Sequence, residues 1–440
     1  MSEVFVDIPN YAGWLNNRID KLCSLARRGT APVYVDHSNV KAIGQRCVTH
    51  SNFDPSYARP HSEKATSNIL KAQLNDVLLN STGTGTIGRS VIFSESGEFI
   101  VDGHVTVLRP HQDLVDSRWL NAVIRSKWFQ RHLERFCYTG STNQLELSRT
   151  YLNSSSLPTP TKEEQSKIGD VLEALDTQIY ETEAIIAKLQ QVKQGLLHDL
   201  LTRGVDEYGE LRPSYEDAPE LYKPSNLGMI PQDWDCFSLG TMADISYGIS
   251  DAIDTSLTSG VKTITLPCVK PNGQLILDEN LLAFTHPNKI SGDLLLQKGD
   301  LMFNWRNGSQ HHLGKTAYFD LDEIYTHVGF LLKIRAKNTI CFPLFLYYAM
   351  NYTKDCGVFL RSKIQVNNTF NSAELRALML NFPKKNEQII IAEKVKSLSD
   401  KITAEIETLK KLHMHKSGLI DDLLTGKVRV TELIKQQQTS

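Results

Sequence analysis

No apolar run in the 440-residue chain approaches the roughly 18–20 residues of a membrane span. The opening MSEVFVDIPN has neither the basic start nor the apolar stretch of a signal peptide. The seven cysteines, Cys23, Cys47, Cys137, Cys236, Cys268, Cys341 and Cys356, are scattered and never form a C-x-x-C pair. Their odd number and spacing indicate neither a disulfide framework nor a zinc site. The expectation is a reduced, cytoplasmic protein. Net charge is low as well, with 48 basic residues against 50 acidic ones. Residues 1–160 hold 17 basic and 14 acidic side chains, and 228–386 hold 15 and 14, whereas 161–212 hold 6 and 11. The acidity is thus concentrated in one stretch, and the flanking parts are only mildly basic. That argues against a strong non-specific grip on a polyanion by this chain alone, so a protein partner is expected to supply much of it.

The chain does contain a long internal repeat. Gln165–Val205 aligns with Gln388–Val428 at a constant offset of 223, with 14 identities in 41 positions and no gap. GLLHDLLT (195–202) answers GLIDDLLT (418–425). In the first copy Ile168, Leu172, Leu175, Ile179, Ile186, Leu189, Leu196 and Leu200 fall on alternating steps of four and three, interrupted at Thr182 and Lys193. In the second, Ile391, Val395, Leu398, Ile402, Leu409, Leu412, Leu419 and Leu423 do the same, interrupted at Glu405 and Lys416. Such a sustained heptad predicts a coiled-coil seam. Matched length, register and interruptions predict that the two helices pack on each other rather than lying apart as surface helices. Pro160, Thr161 and Pro383 stand just before them as start signals.

The repeat extends faintly outside the helices. Trp14, Ile19 and Leu22 match the spacing of Trp234, Leu239 and Met242, each set before a glycine, Gly29 or Gly248. DVLLN (76–80) parallels DLMFN (300–304), and each enters a polar loop closing on Gly88-Arg89 or Gly314-Lys315. Strands SVIF (90–93) and AYF (317–319) follow, His104-Val105 is matched to His327-Val328, and helix signals lie near Trp119 and Phe345. Residues 206–233, rich in Pro, Gly and acids, read as a linker.

LPTPTKEEQSKIGDVLEALDTQI (157–179), KLQQVKQGLLHDLLTRGV (188–205), LLTGKVRV (423–430), LGMIPQDW (227–234) and RRGTAPVY (27–34) together resemble the specificity subunit of type I restriction–modification enzymes. The likeness spans essentially the whole chain, and its specific part is the helix motifs. NFPKKNEQIIIAEKV, before and into the second helix, is less proline-rich than that family's usual approach. The resemblance implies an α+β fold: two globular target-recognition domains of mixed β-sheet with short helices, separated by two long helices forming an antiparallel coiled coil with pseudo-twofold symmetry. On this reading residues 1–160 are the first recognition domain, 161–205 the central spacer helix, 206–233 the linker, 234–386 the second recognition domain, and 387–440 the C-terminal spacer helix and tail.

The implied chain is no enzyme but a DNA reader in the prokaryotic cytoplasm. Its partners would be double-stranded DNA, two methyltransferase subunits and nuclease–translocase subunits, with no membrane. It would carry no cofactor, S-adenosylmethionine belonging to the methyltransferase, and ATP and Mg to the translocase. In keeping with this, no N-P-P-Y or D-P-P-Y adenine-methylation motif and no nuclease-like carboxylate–lysine cluster occurs. Each recognition domain would read one half of a bipartite, asymmetric site. About 40 helical residues make a rod of roughly 60 Å, which at 3.4 Å per base pair spans about 18 base pairs. One added turn should widen the unread gap by about one or two base pairs. Two other readings remain: a specificity factor for another methylation or phage-defence complex, and a protein-interaction scaffold.

Base reading needs donors and acceptors on loops that can enter a groove. The candidates in the first domain are Arg27, Arg28, Thr82, Thr84, Thr86, Arg89, Ser141, Thr142, Asn143 and Gln144. In the second they are Arg306, Asn307, Ser309, Gln310, His311, Lys315, Gln365, Asn367 and Asn368, with Trp305 able to stack or to pack as core. Gly83, Gly85 and Gly88 spell G-x-G-x-x-G, yet a strand rather than a helix is expected next, which suits a loop approaching DNA and not a pyrophosphate. GSQHHLGKT (308–316) leaves five residues where a phosphate loop needs four. His311-His312 lack Cys or carboxylate partners at ligand spacing, and His413 and His415 sit at i and i+2 of a helix, so metal is not expected.

Overall fold

A computed structural model of the chain describes residues 10–65, 69–141, 144–225, 227–251, 254, 256–306, 312–361 and 369–439. Among them, no helix is long and apolar enough to cross a membrane. Five of the seven cysteines, Cys23, Cys47, Cys137, Cys268 and Cys341, are buried. The chain divides into two compact units: Met1–Ala184 with Glu407–Ser440, and Ile185–Ile406.

The first unit is built on a four-stranded antiparallel sheet in the order Cys23–Arg28, Val105–Pro110, Val77–Asn80, Ser90–Ile92. A three-stranded sheet sets Val40–Ile43 antiparallel to Arg59–Pro60 and parallel to Glu98–Val101. Val77–Asn80 is buried at every position because apolar material covers both faces of its sheet. Successive strand side chains point to opposite faces. Val77 and Leu79 accordingly join a core with Trp119 and Phe129, while Leu78 joins another with Val91, Phe93 and Phe99. This is why the segment reads as a continuous apolar run instead of an alternation.

The second unit repeats the plan. Its four-stranded sheet runs Ala243–Tyr247, Leu331–Ala336, Leu301–Asn304, Thr316–Tyr318. Its three-stranded sheet sets Val261–Ile264 antiparallel to Ala283–Thr285 and parallel to Tyr325–His327. Leu301 and Phe303 face one core and Met302 another, as in the first unit. The likeness reaches single hydrogen bonds. Arg109 grips buried Asp76 through Nε and Nη2, both at 2.8 Å, and Arg335 grips buried Asp300 at 2.7 and 2.6 Å. One sequence match fails. Ile43 pairs with Val101, and Ile264 with His327, so His327 stands where the first unit has Val101, and His104 corresponds to Phe330. Sequence alignment slid by three residues because two His-Val pairs coincided. Residues 206–233 are also more than a loose tether. Within them Tyr222–Ser225 and Gly228–Pro231 form a hairpin, and Arg212 packs into the second unit.

The long helices are Lys162–Thr202 and Lys385–Leu424. In the first unit Ile168 and Leu172, near the start of one, share a core with Leu423 and Leu424 at the end of the other. In the second unit Leu200 and Leu201 share a core with Ile391, Ala392 and Val395. The helices therefore run antiparallel. Every seam position named above is buried or half-buried. The polar interruptions are accommodated: Thr182 bonds back to the Gln178 carbonyl at 2.8 Å, and Lys416 pairs with Asp176.

Each helix begins with a buried Glu-Gln pair. Gln165 takes the Asp116 N–H at 2.9 Å and donates to the Leu114 and Pro160 carbonyls. Gln388 takes the Phe342 N–H at 2.8 Å and donates to the Ile340 and Pro383 carbonyls. Glu164 meets Arg429, from beyond the end of the second helix, at 2.7 Å. Glu387 meets Arg212, from beyond the end of the first, at 2.5 Å, and also takes the Val205 N–H and the Trp234 indole N–H. Gly204 makes room for this: its φ is +66°, and a Cβ there would lie 2.2 Å from the Glu387 carboxylate. Removing one partner of a buried ion pair strands the other charge and costs about 3–5 kcal/mol. Glu387→Ala should lower the stability of the second unit by that order, read as a fall in its urea midpoint. An unchanged midpoint would show that the clamp holds nothing.

Candidate nucleic-acid interface

In the first unit three pieces of chain converge beyond the end of the four-stranded sheet. Strand Cys23–Arg28 ends in two arginines, Arg27 exposed and Arg28 half-buried. The loop after Val77–Asn80 turns tightly through Gly83, Gly85 and Gly88, all at positive φ, and leads straight into strand Ser90–Ile92. A hairpin of Tyr138–Thr139 and Glu146–Leu147 closes over both, with Glu146 bridged to Thr82. Arg28 ties the three together by donating to the Ser81 carbonyl at 3.1 Å, the Leu147 carbonyl at 3.4 Å and Glu146 at 3.3 Å. The result is an open depression of about 420 Å³ lined by Arg27, Arg28, Gly29, Thr139, Glu146 and Arg149, among others. A groove bordered by three guanidinium groups suits phosphate and base edges.

The candidate residues fall into groups. Arg27 and Arg28 line the depression, and exposed Ser141 and Gln144 lie in the hairpin's turn. Thr84 is exposed on the glycine loop. Thr82, Thr86 and Arg89 hold that loop in shape. Thr82 takes Gln45 Nε2 on its carbonyl at 2.6 Å, with its hydroxyl 2.8 Å from His104 Nδ1. Thr86 donates to the Thr82 and Gly83 carbonyls, and Arg89 to the Gly85 carbonyl. In the second unit Arg306 is exposed and bridged to Thr369. Lys315 differs from the expectation of a loop cation: it is buried, with Nζ 3.5 Å from the Val269 carbonyl. Burial first, then Lys270 and Lys354 nearby, push its pKa below the usual lysine value. Its backbone faces the sheet because Asn304 receives and gives the hydrogen bonds that close the loop. Thr142, Asn143, Asn307, Ser309, Gln310, His311, Gln365, Asn367 and Asn368 lie outside the described residues.

Sequence reasoning passed over Glu146, Arg149 and Tyr247. The first is acidic, and the others sit outside the polar loops that drew attention. Tyr247 ends the strand matching Cys23–Arg28 and meets Trp305 edge-on at 5.4 Å, while the Ser372 N–H donates to its hydroxyl at 3.1 Å. Trp305 donates its indole N–H to the Gly329 carbonyl at 2.7 Å and packs against the core, so core is the larger part of its role.

The family model for the type I restriction modification DNA specificity domain matches the chain twice, over residues 16–191 and 231–413. The chain belongs to the type I DNA-specificity family. Such a specificity subunit carries two target recognition domains, and the two matches fall one in each half of the repeat described above. Among curated proteins it is similar to the putative type I restriction enzyme MjaX specificity subunit of Methanocaldococcus jannaschii, 24% identical over 348 residues, 78% of this chain and 76% of that one. It is also similar to the MjaVIII specificity subunit of the same organism, 24% identical over 378 residues, 84% and 83% of the two chains. Among solved structures, the S subunit of a type I system from M. genitalium has TM-score 0.56 at 15% identity, covering 95% and 96%. A chain from a structure concerned with complex assembly and conformational transition of the type I system has TM-score 0.57 at 15% identity, covering 95% and 99%. These likenesses establish the shared fold of the specificity subunit.

Gly29, which lines the depression, together with Gly248 and Gly85, separates packing from backbone strain. A Cβ on Gly29 would lie 1.8 Å from the Val101 carbonyl oxygen, and one on Gly248 would lie 2.3 Å from that of His327. A Cβ on Gly85 meets nothing, although its φ of +79° is unfavourable. Overpacking typically costs about 1–3 kcal/mol, and one residue in the left-handed region about 1–2. A rigid carbonyl so close puts Gly29→Ala at or beyond the upper end of the overpacking range. It should therefore lower the urea midpoint of the first unit more than Gly85→Ala does; equal effects would contradict the packing account.

Proposed function

We propose that this specificity subunit aims a separate methyltransferase and nuclease by reading a split DNA site, one half in each recognition domain. The two domains, taken as residues 1–160 and 234–386, share a scaffold but differ at the mouth of the sheet, where Arg28 and Glu146 in one answer Tyr247 and Thr369 in the other. That contrast is the observation that carries the reading. One fold with two surfaces suits two different half-sites, and so an asymmetric target. Accessible groups able to meet DNA are Arg27, Arg28, Thr84, Ser141, Gln144 and Arg149 in the first domain and Arg306 in the second.

The paired helices set the number of unread base pairs and supply, in two copies, the surfaces on which two methyltransferase subunits dock. Nuclease–translocase subunits complete the restriction form. Methyl transfer from S-adenosylmethionine and ATP- and Mg-driven translocation belong to those partners, and this chain contributes aim, not chemistry. Its mild charge fits the assignment, since the partners then provide much of the phosphate grip. The assembly works in the cytoplasm of a prokaryote.

Base-resolution methylation mapping of cells with this gene and its neighbouring methyltransferase, against cells lacking this gene alone, tests the proposal. The expected result is a two-part motif with a fixed gap, methylated only when the gene is present. No change of motif, with the methyltransferase expressed and bound to this chain, would refute it and favour the scaffold reading.

A further inference from the structure

Glu146 is out of place in a surface meant for a polyanion. It stands among Arg27, Arg28 and Arg149 in the depression of the first unit, and its side chain is 57% exposed. A carboxylate there weakens attraction to phosphate, so a fold-independent reason for it is needed. The ion pairs that serve the scaffold look different. Asp76, Glu164, Asp300 and Glu387 each have side chains no more than 10% exposed, and they form two matched sets, one per unit. The pair of Glu146 with Arg28 has no such match. The bridge of Thr82 with Glu146 corresponds to that of Arg306 with Thr369, because the next residues, Leu147 and Phe370, donate N–H to the Ser81 and Trp305 carbonyls, each at 2.8 Å. Arg28, opposite Thr106, corresponds to Tyr247, opposite Leu332. The pair is therefore particular to the first domain.

We propose that Glu146 is a base-reading residue that accepts a hydrogen bond from the exocyclic amino group of a cytosine in the half-site of the first domain. The inference rests on the functional reading above. A carboxylate only accepts, which fits the lone amino donor that cytosine shows in the major groove. Adenine sets its own acceptor beside its amino group and suits an amide side chain better. Arg28 is the positioning partner. Its guanidinium is fixed by the Ser81 and Leu147 carbonyls and holds the Glu146 carboxylate at 3.3 Å, leaving the rest of the carboxylate open to the groove. At the corresponding place the second domain presents a tyrosine hydroxyl and a threonine, so it reads a different edge there.

The test uses the full chain with its methyltransferase, comparing wild type with Glu146→Gln and Glu146→Ala by base-resolution methylation mapping. Wild type should give a motif with a C·G pair in at least one half. Both variants should relax discrimination at one such position by about 5- to 150-fold, the equivalent of about 1–3 kcal/mol for one base contact. Every other position and the gap should stay as they were. An unchanged motif in both variants, whether methylation rises, falls or holds uniformly, would overturn the role of Glu146 while leaving the functional reading intact. Absence of any two-part motif in wild type would overturn that reading and this inference together.

Discussion

A buried carboxylate stands at the start of each long helix and is held by an arginine from just past the end of the other. A charge taken out of water must be matched at close range, so Glu164 with Arg429 and Glu387 with Arg212 fix where one helix begins relative to where its neighbour stops. The glutamine that follows each glutamate bonds to a segment within its recognition domain, just before helix Ser117–Arg125 or helix Pro343–Asp355. Two adjacent side chains thus lock helix to helix and helix to reader. Within each unit, the register of the apolar seam and the seating of the recognition domain follow from that contact.

Duplication explains the economy of the design. The two units carry the same sheet orders and the same closing bonds of the polar loop, and differ where a strand end, a loop and a hairpin meet. A scaffold whose buried ion pairs recur can tolerate exchange at its exposed mouth, since Asp76 with Arg109 and Asp300 with Arg335 form the same pair whether the neighbouring strand ends in Arg28 or in Tyr247. That division lets one chain carry two recognition domains that differ at the mouth without two separate folding solutions.

The long helices were legible because a heptad is a local, periodic signal, and Thr182 and Lys193 against Glu405 and Lys416 even marked their common register. DVLLN and DLMFN were legible as strands because burial on both faces leaves an unbroken apolar run. The interface was less so. Arg28 and Glu146 lie 118 residues apart in sequence and meet only through the fold. Lys315 drew attention as a loop cation and is buried. His104 and His327 looked equivalent and are not, because a two-residue match carries less information than a strand register. The Glu-Gln pairs stood in plain view within KEEQ and KNEQ, but their meaning depends on distant carbonyls and arginines that no local pattern reveals.

If the helix pair is the constraint that spaces two independent readers, its length must be written in the DNA. Seven residues inserted at matching seam positions of both helices preserve the heptad and add about 10 Å, about three base pairs of duplex. Methylation mapping with the lengthened chain and its methyltransferase should return both halves of the motif unchanged, with the gap widened by about three. The same two halves at the original gap would contradict the account.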